Sequence, residues 1–413
     1  MKRFYFTFLV AFLSGSISLI AQQKEVPYVI LISFDGFRYD YVKNFNPPNF
    51  KAFIQNGSQA EALIPSFPSK TFPNHYTLVT GLTPGNHGLV DNGFYDRARH
   101  ATYEMKDKAK VADPYYYGGV SLWELARQNG MKSASYFWVG SELTDEKRRP
   151  DYYYEFDDKL NPRKRIDQTV AWLKLPEKER PHLITLYFSF PDHEGHMFGP
   201  KSLEAKDAVL RADSLLGDLM KGLQSVKFPV NVVIVSDHGM RELTAKPETF
   251  IFMDELITKK DTAITIVDGG TQQHIYVTNK KKRDSLYSYL KASEKYFKVY
   301  KKEDFPDRWK YKVDRAGEIL LEADTSHYFS SAPRERFLKT LKMRGSFGVH
   351  GYDPDAIKDV RGIFYAQGPN VKKGITLPPF QNIHVFPFIA EILGLPLPPI
   401  DGKQEVLQKI YQN

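Results

Sequence analysis

Val29-Ile30-Leu31-Ile32-Ser33-Phe34-Asp35 is a short run, almost continuously apolar and rich in branched residues, that ends on a carboxylate. A strand buried on both faces reads this way, because a parallel sheet covered by helices leaves neither side to water. The pattern recurs twice. Asn231-Val232-Val233-Ile234-Val235-Ser236 leads into Asp237-His238, and Leu183 through Phe190 leads across one proline into Asp192. Open α/β sheets bind ligands beyond the carboxyl ends of their strands, so three strands would deliver carboxylates to one edge. Asp192 and His196 stand four apart, a spacing that puts both on one face of a helical turn.

Outward from these runs, strand-like segments at 28–34, 133–138, 182–189, 230–236 and 262–267 alternate with helix-like segments at 119–129, 162–174, 202–224 and 282–292. The alternation predicts an α/β fold with a mostly parallel central sheet and helices on both faces. A chain of 413 residues could form two domains. The candidate ligands come from both ends, Asp35 and His350, and a site joining them closes only if the chain between folds around it. One unit is therefore expected over 22–413, with the less regular stretch at about 271–348 as a small inserted subdomain. A last helix is expected within 386–397.

Asp35, Asp192, His196, Asp237, His238 and His350 are all of metal-binding type, and Thr71, in Pro65-Ser66-Phe67-Pro68-Ser69-Lys70-Thr71, is a seventh candidate. Singly, each has an ordinary reading: an aspartate after a strand caps a turn, and a lone histidine is a hydrogen-bonded or surface residue. Together, in this order and after strands, they point to metal. Imidazole nitrogen with carboxylate oxygen suits zinc, whose catalytic sites keep an open position. Two such ions about 3.5–4 Å apart clamp the attacking and leaving oxygens of an in-line displacement.

At these residues the sequence resembles the nucleotide pyrophosphatase/phosphodiesterase family of the alkaline phosphatase superfamily. The likeness runs from Val29 to about Pro399. Lys70-Thr71-Phe72-Pro73-Asn74-His75-Tyr76-Thr77, followed by Val79-Thr80-Gly81, is similar to the family's nucleophile segment. His87-Gly88 leading to Asp91-Asn92 resembles the segment supplying its oxyanion asparagine, and Ser236-Asp237-His238-Gly239-Met240 its metal-binding strand end. The resemblance implies an alkaline-phosphatase-like fold, Thr71 as nucleophile, and Asn92 as the donor to the phosphoryl oxygen. It implies two zinc ions: one held by Asp192, His196 and His350, the other by Asp35, Asp237 and His238, with Thr71 bound to the second. His75, four residues after Thr71, falls in the family's helix below the nucleophile.

A threonine hydroxyl is a poor nucleophile until a base or metal activates it. The expected reaction is thus a double displacement through a covalent threonyl ester. Phe72 follows the nucleophile where the family packs a nucleobase. Trp138-Val139-Gly140-Ser141-Glu142 resembles the family's Trp-Pro-Gly-Ser-Asp, and Phe156 falls where nucleotide-cleaving members stack an aromatic. Phe72, Asn92, Trp138 and Phe156 are therefore the expected substrate contacts, with core packing the rival reading for Phe156 and Tyr152–Tyr154. The expected substrate is a nucleotide phosphodiester or pyrophosphate, releasing a nucleoside 5′-monophosphate. The alternative is a lysophospholipid or choline phosphodiester at the same zinc site. A sulfatase would need cysteine or serine followed by Pro-x-Arg, which Thr71-Phe72-Pro73 does not supply.

Lys2-Arg3, an apolar stretch and then Ala21 before Gln22-Gln23 have the form of a secretory signal peptide over 1–21. Periplasmic or secreted location is expected, with no membrane span after cleavage. The chain has no cysteine, so disulfides cannot stabilise it. Of the net charge of +8, Lys2 and Arg3 account for two, leaving +6. Lys147-Arg148-Arg149 and Lys280-Lys281-Lys282-Arg283 read as solvated faces, so no specific nucleic-acid partner is expected. A mildly basic surface still attracts small anions.

Overall fold

The computed structural model describes residues 26–257, 261–340 and 345–413, and the expected leader at 1–21 lies outside the described residues. The central sheet has eight strands: β1 (Tyr28–Phe34), β2 (Ser58–Ala60), β3 (Ser133–Tyr136), β4 (Tyr152–Tyr154), β5 (Leu183–Phe188), β6 (Val230–Val235), β7 (Phe364–Gln367) and β8 (Thr376–Leu377). Their spatial order is β8-β2-β7-β6-β1-β5-β3-β4. β1 sits between β5 and β6 and is parallel to both, and only β7 runs against its neighbours. The sheet is mostly parallel, as the uninterrupted apolar runs require.

Alternation along β1 shows why both faces are apolar. Val29 and Leu31 enter a core shared with the helices Thr71–Thr80, Leu122–Gln128 and Val385–Ile392. Ile30, Ile32 and Phe34 point the other way, against Pro48–Gln55, Arg163–Leu173 and Leu203–Leu223. Side chains in a strand alternate between faces, so one apolar run seals two helical layers. Helix Leu122–Gln128 opens on a full capping box, Ser121 bonding the Glu124 amide and Glu124 bonding the Ser121 amide, which satisfies two otherwise orphaned donors.

A second, four-stranded antiparallel sheet follows, in the order Ile264–Asp268, Gln272–Val277, Ile319–Ala323, Phe297–Lys301. Helix Lys280–Ala292 supplies Leu290 to its apolar core. The strand expected at 262–267 forms but belongs here, not to the central sheet, so the inserted sheet starts before residue 271. Periodicity signals a strand and is silent about its partner. The basic run 147–149 is likewise not a uniformly solvated face. The Arg148 guanidinium turns inward, 2.8 Å from Glu124 and donating to the carbonyls of Pro114 and Tyr117.

Candidate active site

All three carboxylates emerge at one edge of the central sheet because β1, β5 and β6 are parallel neighbours. Asp35 leaves β1 and passes into Gly36, whose φ of +66° is left-handed. A Cβ there would meet the Asp192 backbone at 2.9 Å, so glycine allows the two strand ends to close on each other. The Asp192 amide then donates to the Asp35 carbonyl at 3.0 Å, and Asp192 opens the helix Asp192–Phe198 that also carries His196. At the end of β6, the Ser236 hydroxyl donates to the Phe37 carbonyl, fixing the residue before Asp237.

The six candidate ligands fall into two triads. In one, Asp192 Oδ1 lies 3.4 Å from His196 Nε2 and 3.7 Å from His350 Nε2. In the other, His238 Nε2 lies 3.0 Å from Asp237 Oδ2 and 3.5 Å from Asp35 Oδ1. Within each triad all the ligand atoms are within 4.8 Å of one another. The triads adjoin, for the His238 and His350 rings stack with centroids 3.6 Å apart.

These donor sets fit metal ions. His196 Nδ1 donates to the Gly348 carbonyl, His350 Nδ1 to Ser69 and His238 Nδ1 to Gly239, at 2.7, 2.8 and 2.8 Å. Each bond fixes the tautomer and leaves Nε2 free as a ligand, as metal-binding histidines need. Asp35 Oδ1, Asp192 Oδ1 and Asp237 Oδ2 are buried and lack hydrogen-bond partners among the described residues. Buried carboxylate oxygens without donors are costly unless a cation compensates them. Burial, with the Asp237 and Asp192 carboxylates adding to it, pushes the Asp35 carboxyl well above its ordinary value. Burial also holds the His350 imidazole well below its usual range, with His238, His196 and Lys70 nearby. Positive ions would relieve the crowding of acids, and a neutral His350 is ready to ligate.

Thr71 is the first residue of helix Thr71–Thr80, and its Oγ1 lies 3.2 Å from His238 Nε2. A helix N-terminus favours an anion. The Phe72 amide donates to Asn92 Oδ1 at 2.9 Å, which assigns the orientation of that side chain and leaves its amide hydrogens free to donate. His75 is buried beneath, with Nε2 2.8 Å from the Ser33 hydroxyl and Nδ1 2.9 Å from the Thr71 carbonyl. It holds the helix start against β1 from below.

The expected substrate contacts divide. Phe72 is partly exposed, and Phe156 is 40 % exposed, edge-on to Phe137 at 5.4 Å and 6.1 Å from the Tyr187 ring. The structure puts Trp138 elsewhere. It is 2 % exposed, and its indole N–H donates to the His75 carbonyl at 2.9 Å. Trp138 thus braces helix Thr71–Thr80 from behind, and its burial does not suit substrate contact.

The structure adds partners that the sequence does not show. The Tyr187 hydroxyl donates to Asp35 Oδ2 at 2.6 Å. Ser69 bonds Tyr352 and Gly351 as well as His350, and Lys70 Nζ donates to the carbonyls of Gly269 and His350 at 2.6 and 3.2 Å. Tyr187 sits in an apolar run that does not say which face it takes, and only the fold shows that its hydroxyl meets Asp35.

Comparison with known proteins gives the family. The family model for type I phosphodiesterase / nucleotide pyrophosphatase matches residues 29–353. Human ectonucleotide pyrophosphatase/phosphodiesterase family member 1 is 32 % identical over 404 residues, covering 94 % of this chain and 42 % of its own length. The chain therefore spans less than half of that relative. A pyrophosphatase/phosphodiesterase of Schizosaccharomyces pombe is 33 % identical over 398 residues, covering 93 % of this chain and 80 % of its own. Among solved structures, an inactive variant of murine ectonucleotide pyrophosphatase/phosphodiesterase 5 in complex with AMP superposes with a TM-score of 0.84 at 28 % identity, covering 94 % of this chain and all of that one. With its strand-end carboxylates, its paired triads and a threonine beside His238 of one of them, this chain belongs to the type I phosphodiesterase / nucleotide pyrophosphatase family.

Proposed function

We propose that the chain is an exported two-zinc phosphodiesterase/nucleotide pyrophosphatase that acts through a covalent threonyl ester and releases nucleoside 5′-monophosphates. The observation that carries this is Thr71 Oγ1 at a helix N-terminus, 3.2 Å from His238 Nε2 and beside the two triads. Asp192, His196 and His350 would hold one zinc ion, and Asp35, Asp237 and His238 the other. When bound, zinc supplies positive charge that favours the ionised hydroxyl and offsets charge on phosphate.

The chain's own residues do the rest. Thr71 Oγ1 gives up its proton to solvent and bonds to phosphorus as the leaving oxygen departs opposite it and takes a proton, giving a threonyl ester. Water then bonds to phosphorus, the bond to Oγ1 breaks, and a proton returns to the hydroxyl. Asn92 donates to a non-bridging oxygen as charge grows there, a preorganised donor acting where charge develops. Phe72 and Phe156 offer flat apolar faces to a base, which any nucleobase can stack upon.

Three observations support the narrower readings. The AMP carried by the murine relative supports a nucleotide substrate. Lys70 directs its ammonium to backbone carbonyls, leaving it less able to grip the extra charge of a monoester, which supports diesters. The expected leader and the relative named as an ectoenzyme support export, and among the described residues no helix is long and apolar enough to cross a membrane.

Initial rates on 4-nitrophenyl thymidine monophosphate, 4-nitrophenyl phosphorylcholine and 4-nitrophenyl phosphate test the reading. The nucleotide diester should be cleaved fastest. Faster cleavage of the choline diester would overturn the substrate class, and preference for the monoester would overturn the reaction class.

A further inference from the structure

Asn92 stands at the end of a turn, 88–92, that is held from the inserted segment. The Arg315 guanidinium donates to the Gly88 carbonyl at 3.0 Å, and the buried Tyr311 hydroxyl donates to the Val90 carbonyl at 2.6 Å. Gly88 has φ +90°, and a Cβ there would meet Arg315 at 2.8 Å, so its bare backbone permits that approach. The third link is charged. Asp91 is buried, accepting from the Asn92 amide at Oδ1 (2.6 Å) and from His274 Nε2 at Oδ2 (3.0 Å).

His274, on strand Gln272–Val277, places its other nitrogen 3.0 Å from the Ala316 carbonyl. Each ring nitrogen therefore faces an oxygen acceptor. The imidazole is fully buried and makes no contact with the metal triads in the bonds described. A chain of bonds thus runs from the inserted sheet through His274 and Asp91 to Asn92, and from Asn92 Oδ1 to the Phe72 amide beside the nucleophile.

We propose that His274 is a positioning residue: through Asp91 it fixes the turn carrying Asn92, so the inserted sheet sets the geometry of phosphoryl transfer. This rests on the role given to Asn92 under the proposed function. It also gives Asp91, a residue of the nucleophile-side motif without a chemical part, a reason for being there. Removing the imidazole leaves Asp91 Oδ2 buried without its donor, which the turn relieves by moving.

A double-mutant cycle tests the link, with turnover of 4-nitrophenyl thymidine monophosphate as the readout and melting and metal content measured for every variant. His274→Ala should lower kcat about tenfold or more while KM stays within about threefold, and His274→Gln, which restores a donor toward Asp91, should recover part of the loss. In the Asn92→Ala background the His274 substitution should add less than about twofold, because residues that act through one another are not additive. If His274→Ala does not fold, the cycle with His274→Gln carries the comparison. Equal fold-losses in both backgrounds, or an unchanged kcat, would overturn the proposal. Thr71→Ala, run beside it, reports separately on the threonyl mechanism: activity retained there defeats that reading, while the cycle still reports on the His274–Asn92 link.

Discussion

His350 Nδ1 donates to the carbonyl of Ser69 at 2.8 Å, across 281 positions of sequence. The bond ties the last candidate ligand in the chain to the residue two before Thr71, the proposed nucleophile. It orients Nε2 toward Asp192, and the Ser69 hydroxyl reinforces it by accepting from Gly351 and donating to Tyr352. The candidate ligand His350 and the segment leading to Thr71 thus share one backbone junction.

Metal content follows from the donor-free carboxylates. The purified chain should hold about two zinc ions and lose activity to chelators, recovering on zinc addition. Elemental analysis alongside activity checks this, and fully active protein with one ion or none would defeat the paired-triad account.

Tyr187 is the support for Asp35 that the structure adds. Tyr187→Phe removes the donor at 2.6 Å while keeping the ring beside His75 and Phe156. Loss of such an outer partner should weaken metal retention by about 10–100-fold, read as a lower chelator concentration for half-inactivation. The same concentration as in the unsubstituted chain would make the hydroxyl dispensable.

Tyr187 also marks where sequence stopped being informative. The strands at 28–34, 182–189 and 230–236 were legible because buried parallel strands are written as unbroken apolar runs, and Asp35, Asp192 and Asp237 because each follows such a run, Asp192 after one intervening proline. His196 was legible from its spacing to Asp192. What a side chain meets across the fold is not written locally. Trp138 lies in a segment similar to a substrate-facing one, yet points behind helix Thr71–Thr80 to the His75 carbonyl. Strand Ile264–Asp268 was visible as a strand, but its pairing with Gln272–Val277 depends on a turn that brings the chain back on itself. The Asp91–His274 bond spans 183 positions, and no periodicity encodes it.

Phe156 offers the exposed ring on which a base can stack. Phe156→Ala should raise KM for a nucleotide diester more than for a small aryl diester without a base, by up to the 1–3 kcal/mol typical of about one stacked base. Equal effects on both substrates would make Phe156 a packing residue against Phe137.

The central claim is that Thr71, not water, makes the first bond to phosphorus. Two displacements at one phosphorus, each inverting it, return the original configuration; a single attack by water inverts it. The direct measurement is the stereochemical course of hydrolysis of a chiral nucleotide phosphorothioate diester in isotopically labelled water, with Thr71→Ala as control. The account predicts net retention in the unsubstituted chain and loss of turnover in Thr71→Ala. Net inversion, or a control that keeps most of its rate, would contradict it.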